Sequence, residues 1–140
     1  MVFTEVIVGR KLITRGKLPG YRYSPGVVVG DTAYLAGHSG VDKDGKLVAN
    51  DIASQDRQVL ANMRATLEAA GMTLEDVVSI RVWLTTYDGM PAFDEVYGAF
   101  CPVDPPARTA FIVEKLPLGA AVELDAIAVR DSSEVKARLA

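Results

Sequence analysis

Between residues 77 and 86 the chain reads VVSIRVWLTT, and apolar side chains fall on every second position. Val78, Ile80, Val82 and Leu84 take one side, while Ser79, Arg81, Trp83 and Thr85 take the other. Such a strand has one face that must be buried, so a second layer has to cover it. Two segments have the spacing to supply that layer. From Asp51, a helix is predicted because Ile52, Val59, Leu60, Met63, Leu67 and Ala70 share a face, with Gln55, Arg57, Gln58 and Arg64 largely off it and Gly71 as the stop. After YDGM a second helix is predicted. Pro91 suits its first turn, Asp94 and Glu95 suit its positive end, and Phe93, Val96, Tyr97 and Phe100 form its apolar stripe. PVDPP then ends it, because proline cannot continue a helix.

The remaining apolar runs are short and read as strands. TEVIVG adds one near the start, GVVVG and TAYLAG form a hairpin around Gly30-Asp31, and VDKDGKL is a polar turn. RTAFIV and AAVELDAIAV close the chain as a second hairpin joined through EKLPLG. This order predicts an α+β fold, a mixed β-sheet with both helices packed on one face, in a single domain over residues 1–130 with a polar tail at 131–140. In the last strand Val122, Leu124, Ala126 and Ala128 suit the helix side. Glu123 and Asp125 share the opposite side with Ala121 and Ile127, a half-polar face of the kind found where subunits meet around a wet pocket.

Charge and cysteine content remove several function classes. With 15 basic against 18 acidic residues and a net charge of -3, the chain offers no basic stripe for a phosphate backbone, so no nucleic-acid partner is expected. No apolar run approaches a membrane span and no basic-then-apolar leader opens the sequence, so no membrane partner and a cytoplasmic location are expected. One cysteine, Cys101, and one histidine, His38, build neither an internal disulfide nor a zinc site of the usual kind. A Cys101–His38 nucleophilic pair is the weaker reading, since a cysteine after an aromatic helix face is more often packing. Arg108 is different: a guanidinium at the head of an apolar strand calls for an anion. If the final hairpin turns near Lys115 to Pro117, Glu123 lies opposite it on the neighbouring strand and is held ionised by it. The pair is then either a structural ion pair or part of a site, and spacing does not choose between them.

The segments YSPGVVVGDTAYLAG, QVLANMRATLEAAGMTLEDVVSIRVWLT, FDEVYGAF and PPARTAFIVEKLPLGAAVELDAIAV, in this order and spacing, resemble the reactive intermediate deaminase (Rid, or YjgF-like) family over roughly residues 3 to 130. The resemblance implies a chorismate-mutase-like fold assembled as a homotrimer, with clefts between subunits that bind small carboxylates. It also implies hydrolysis of enamines or imines of 2-keto acids, such as 2-aminoacrylate, to the keto acid and ammonia, without metal or organic cofactor. By the same resemblance Arg108 grips the substrate carboxylate, Glu123 positions the attacking water, Tyr23 belongs to the cleft, and Gly37 lines it with backbone. His38 stands where the family often has glutamine, Ala110 where many members have a cleft cysteine, and Asp94 where many have asparagine. His38 is read equally as a proton shuttle or as a loop residue satisfied by backbone. Arg22, beside Tyr23, is either a solvated surface cation or the mark of a larger dicarboxylate enamine such as 2-aminomuconate. A non-catalytic carboxylate-binding protein is the remaining alternative.

Overall fold

The computed structural model describes residues 9–101, 104–133 and 139. Six strands form one sheet: β1 (Arg10–Ile13), β2 (Gly26–Val29), β3 (Thr32–Ser39), β4 (Val77–Leu84), β5 (Ala107–Ile112) and β6 (Val122–Val129). Their spatial order is β1-β2-β3-β6-β4-β5. Neighbours run antiparallel except β4 and β5, which are parallel. Helices α1 (Ile52–Ala69) and α2 (Met90–Phe100) pack together against the sheet, α1 chiefly over β3 and β6. The mixed α+β architecture read from the sequence is therefore the one observed.

The first hairpin turns at Gly30, whose positive φ of 59° suits the residue without a side chain. Asp51 caps α1, its carboxylate accepting from the Ser54 N–H at 2.8 Å, and Gly71 at φ 70° closes the other end with its N–H on the Glu68 carbonyl. Gln55, placed off the apolar face by spacing, is in fact buried. Its amide donates to the Ala49 carbonyl and accepts from the Ala121 N–H, both at 2.9 Å, which ties α1 to the start of β6. α2 begins at Met90, so Asp94 and Glu95 fall beyond its first turn and do not serve its positive end.

The final hairpin is not formed. β6 lies between β3 and β4, and β5 lies at the outer edge, reached from β4 through α2 as a parallel pair requires. Burial explains the choice. β6 offers Val122, Leu124, Ala126 and Ala128, all buried under the helices, whereas every residue of β5 is exposed within the chain. The run RTAFIV is thus an edge strand rather than a buried one. Val78 is exposed and Val77 buried, because an irregularity between Val77 and Ser79 shifts the pairing with β6 by one residue. TEVIVG falls outside the described residues apart from Gly9; the first described strand is β1, whose exposed Arg10 and Lys11 blunt that edge.

The core between sheet and helices is one cluster in which Val59, Leu60, Met63, Leu67, Val82, Leu84, Phe93, Val122 and Leu124 have no exposed surface. Across the sheet no described helix covers the other face. There Trp83 stacks on Phe111 at 4.5 Å, and Asp125 accepts from the Trp83 indole at 2.9 Å and from Arg81 at 2.7 Å. Tyr34, Phe111 and Ile127 stand exposed. Among the described residues no helix is long and apolar enough to cross a membrane.

Candidate functional site

Tyr23, Gly37, His38 and Glu123 line one pocket of about 710 Å³, closed on one side by the segment between β1 and β2 and on another by Asn62, Ala65 and Thr66 of α1. A break in the β3–β6 pairing between Leu35 and His38 brings the backbone of Gly37 against Glu123. A Cβ at residue 37 would lie 2.8 Å from the Glu123 Cδ, so only glycine leaves room for this carboxylate. Glu123 sits opposite Ser39, whose hydroxyl donates to it weakly at 3.4 Å. Desolvation pushes the Glu123 pKa above the ordinary glutamate value; the Ser39 bond opposes this, and Asp125 adds to it. The shift is opposite to the one expected from a neighbouring arginine. The Tyr23 hydroxyl accepts from the Leu18 N–H at 2.8 Å, which fixes the loop and leaves the phenolic proton free to donate.

His38 belongs to β3 rather than to a loop, and both its ring nitrogens are engaged. Nδ1 faces the Ala36 carbonyl at 2.6 Å, so it carries the proton, and Nε2 lies 2.8 Å from the Thr66 hydroxyl, for whose single proton it competes with the Asn62 carbonyl at 3.2 Å. Burial holds the imidazole pKa below its usual value, with the Ala36 bond pulling the other way. A neutral ring satisfied inside the chain is the result.

Arg108 is elsewhere. Its register partner on β4 is Ile80, which also pairs with Ala126, so the guanidinium lies on the helix side of the sheet. Glu123 pairs with Trp83 and lies on the other side, with β4 between the two strands. The cross-strand Arg108–Glu123 pair expected from the sequence is absent within one chain. Arg108 instead donates to Asp94 at 2.6 Å and stands over the rings of Phe93 and Tyr97, at 5.6 and 5.1 Å. Both partners of the ion pair keep about a third or more of their side-chain surface exposed, at 31% and 47%. Such a pair is worth at most about 1 kcal/mol, so another carboxylate can take the place of Asp94. Ala110 follows on the same side of β5, opposite Val82 and outside the pocket.

Sequence reasoning overlooked Ser39, Thr66 and Asn62, which donates to the Ser39 and Val41 carbonyls at 3.0 Å. Their contacts depend on where β3 breaks, which no local pattern announces. Asp56 was findable, since it sits four residues from both Ile52 and Leu60 and so on the apolar face. It is wholly buried, and neither carboxylate oxygen has a hydrogen-bond partner among the described residues.

Comparison with known proteins follows the same outline. The family described as Endoribonuclease L-PSP matches residues 15–130. The human protein named 2-iminobutanoate/2-iminopropanoate deaminase is 35% identical over 124 residues, covering 86% of this chain and 90% of that protein. A solved structure from Yersinia pestis, YyfA, described as belonging to the Rid protein family, superposes with a TM-score of 0.81 at 31% identity, covering 86% of this chain and 99% of its own. Escherichia coli TdcF, solved with bound serine, superposes with a TM-score of 0.79 at 31% identity over 86% of this chain and 99% of its own.

Proposed function

This chain belongs to the Endoribonuclease L-PSP family, which includes the Rid proteins, and from that starting point we propose that it is a deaminase hydrolysing small 2-imino acids to 2-keto acids and ammonia in a cleft shared by two copies of the chain. The observation that carries the reading is Glu123: a desolvated carboxylate laid against the Gly37 backbone, with a pKa moved upward toward the working range of a general base. In this reading an enamine first tautomerises to the imine. With the imine nitrogen protonated from solvent, Glu123 takes a proton from water as the water oxygen adds to C2, giving a carbon that bears both hydroxyl and amine. The proton passes to the nitrogen, the C–N bond breaks, the hydroxyl proton returns to solvent, and the products are the keto acid and ammonia. No redox step occurs and no cofactor is called for. The Tyr23 phenol donates to the nitrogen or the developing hydroxyl, and holding water against C2 does the rest by proximity.

The carboxylate anchor comes from the neighbouring copy. Within one chain Arg108 and Glu123 occupy opposite faces of the sheet, yet Arg108 stands on an exposed edge strand, with a weak and replaceable ion pair to Asp94. Packing copies over the uncovered sheet face, which exposes Tyr34, Phe111 and Ile127, brings that edge toward a pocket of the next subunit. A homotrimer closes the arrangement, with Ala110 beside the anchor. The named deaminase relatives and the relative solved with serine support a small amino-acid-like carboxylate as the ligand class. The test is the rate at which 2-iminobutanoate, generated in place by an amino acid oxidase, disappears with and without the protein. Acceleration in the parent and its loss in Glu123→Gln is the expected result. An unchanged spontaneous rate removes the deaminase reading, and cleavage of single-stranded RNA under the same conditions replaces it with the other activity in the family's description.

A further inference from the structure

We infer that Asn62 of α1 is the positioning residue for Glu123: its side-chain amide ties down the end of β3, and so fixes the Ser39 hydroxyl and the Gly37 backbone against which the carboxylate lies. The inference takes the role of Glu123 from the deaminase reading, while the tie itself can be measured without turnover.

The need for a tie comes from where Glu123 sits. Its partner Ser39 is the last residue of β3, and the pairing with β6 is already broken between Leu35 and His38. β6 is held on its other side, where Glu123 pairs with Trp83 of β4, so the end of β3 is the part free to open, as strand ends do. Past Ser39 the chain leaves the sheet, and its carbonyls need other donors. The Gly40 carbonyl accepts from the Val48 N–H at 3.0 Å, and the Ser39 and Val41 carbonyls both accept from the Asn62 side-chain NH2, each at 3.0 Å.

The amide is itself held. Its oxygen accepts from the Gln58 side-chain amide, one turn earlier on α1, at 2.8 Å, and only an NH2 group can serve two carbonyls, so its orientation is settled. The strap lies close to the helix because residue 40 is glycine: a Cβ there would stand 2.6 Å from the Gln55 backbone oxygen. Packing alone does not call for asparagine here. It is a poor residue for a helix interior, and nearby Val59 and Met63 fill the core with apolar side chains that have no exposed surface. Asn62, Gly37, Ser39 and Glu123 all line the same pocket. Slack at Ser39 would admit water beside the carboxylate and let it drift from C2, and a misplacement of about 1 Å is enough to cost roughly a hundredfold in rate.

Carbon-13 NMR of the Glu123 carboxyl, assigned with Glu123→Gln, is followed against pH in the parent, in Asn62→Ala and in Val96→Ala. The last removes core volume from α2, away from the pocket, and controls for general loosening. In the parent the titration should lie above the ordinary glutamate value, as burial dictates. In Asn62→Ala it should fall back toward that value, because water reaches the carboxylate while the Ser39 bond that is lost, at 3.4 Å, opposed the effect of burial only weakly. Asp125 stays held by Arg81 and Trp83, and Val96→Ala should leave the titration in place. With 2-iminobutanoate, kcat of Asn62→Ala should drop at least about tenfold, counted per site that binds 2-oxobutanoate in calorimetry, with affinity for that keto acid kept within about threefold. An unmoved Glu123 titration in folded Asn62→Ala, an equal shift in Val96→Ala, or a rate that falls only in step with the number of binding sites overturns the inference. A shift confined to Asn62→Ala in a protein whose parent hydrolyses no imine upholds the tie and removes the deaminase reading instead.

Discussion

Replacing Asp56 with asparagine removes a buried charge without changing its shape, and the consequence for stability can be worked out. Asp56 has no exposed surface, and among the described residues neither of its oxygens is hydrogen-bonded. Burial raises the Asp56 pKa from 3.8 to about 7, with Arg57 opposing and Asp94 reinforcing the shift. The folded state therefore keeps the proton after the unfolded chain has lost it. Stability tied to this group is complete below about pH 4, declines as pH rises, and is gone above about pH 7. A gap of about three pH units corresponds to at most about 4 kcal/mol, at about 1.4 kcal/mol per unit. An asparagine side chain does not titrate and carries no such dependence. In urea unfolding of both proteins at pH 4 and pH 8, Asp56→Asn should match the parent at pH 4 within about 1 kcal/mol. At pH 8 its midpoint should exceed the parent's by about 1 M or more. His38 and Glu123 titrate in both proteins and cancel in the difference. A variant that is less stable at pH 8, or a difference independent of pH, would refute the assignment of Asp56 as an unpaired buried acid.

Gly37→Ala should leave unfolding nearly unchanged, because the clash falls on the mobile end of Glu123, but should lower imine hydrolysis by roughly a hundredfold as the carboxylate is displaced. Glu123→Gln should retain affinity for a non-reactive 2-keto acid while losing a factor of roughly a hundred or more in rate. In the parent, the acidic limb of the pH–rate profile should lie above the ordinary glutamate value, in line with the raised Glu123 pKa, and it should vanish in that variant. His38→Gln should stay within a few-fold of the parent rate, since the ring is held neutral between Ala36 and Thr66; a hundredfold loss would restore the proton-shuttle reading.

The fold was legible where periodicity decides it. The alternation of β4, the stripe and caps of α1, and the hairpin at Gly30 could all be read one segment at a time. The place of β6 could not, because sequence adjacency favoured a closing hairpin and only competition for the buried central slot puts Val122, Leu124, Ala126 and Ala128 between β3 and β4. The same error made Arg108 a neighbour of Glu123. The candidate site came from resemblance rather than from spacing: Tyr23, Gly37, His38 and Glu123 line one pocket, and the reason residue 37 is glycine emerges only from its approach to Glu123. Asp56 broke an apolar stripe in plain view, and what hid it was the ease with which a polar residue on a helix is taken for solvent-facing.

The central claim is that one copy supplies Glu123 and its neighbour supplies Arg108, and mixing two inactive variants tests it most directly. Arg108→Ala and Glu123→Gln, each without measurable turnover alone, are unfolded together in equal amounts and refolded, then assayed with 2-iminobutanoate. If each cleft draws its arginine and glutamate from different copies, random assembly leaves about a quarter of the clefts with both, and activity should recover to about that fraction of the parent's. A mixture as inactive as its components would mean that no cleft combines the two residues across subunits, and would contradict the account.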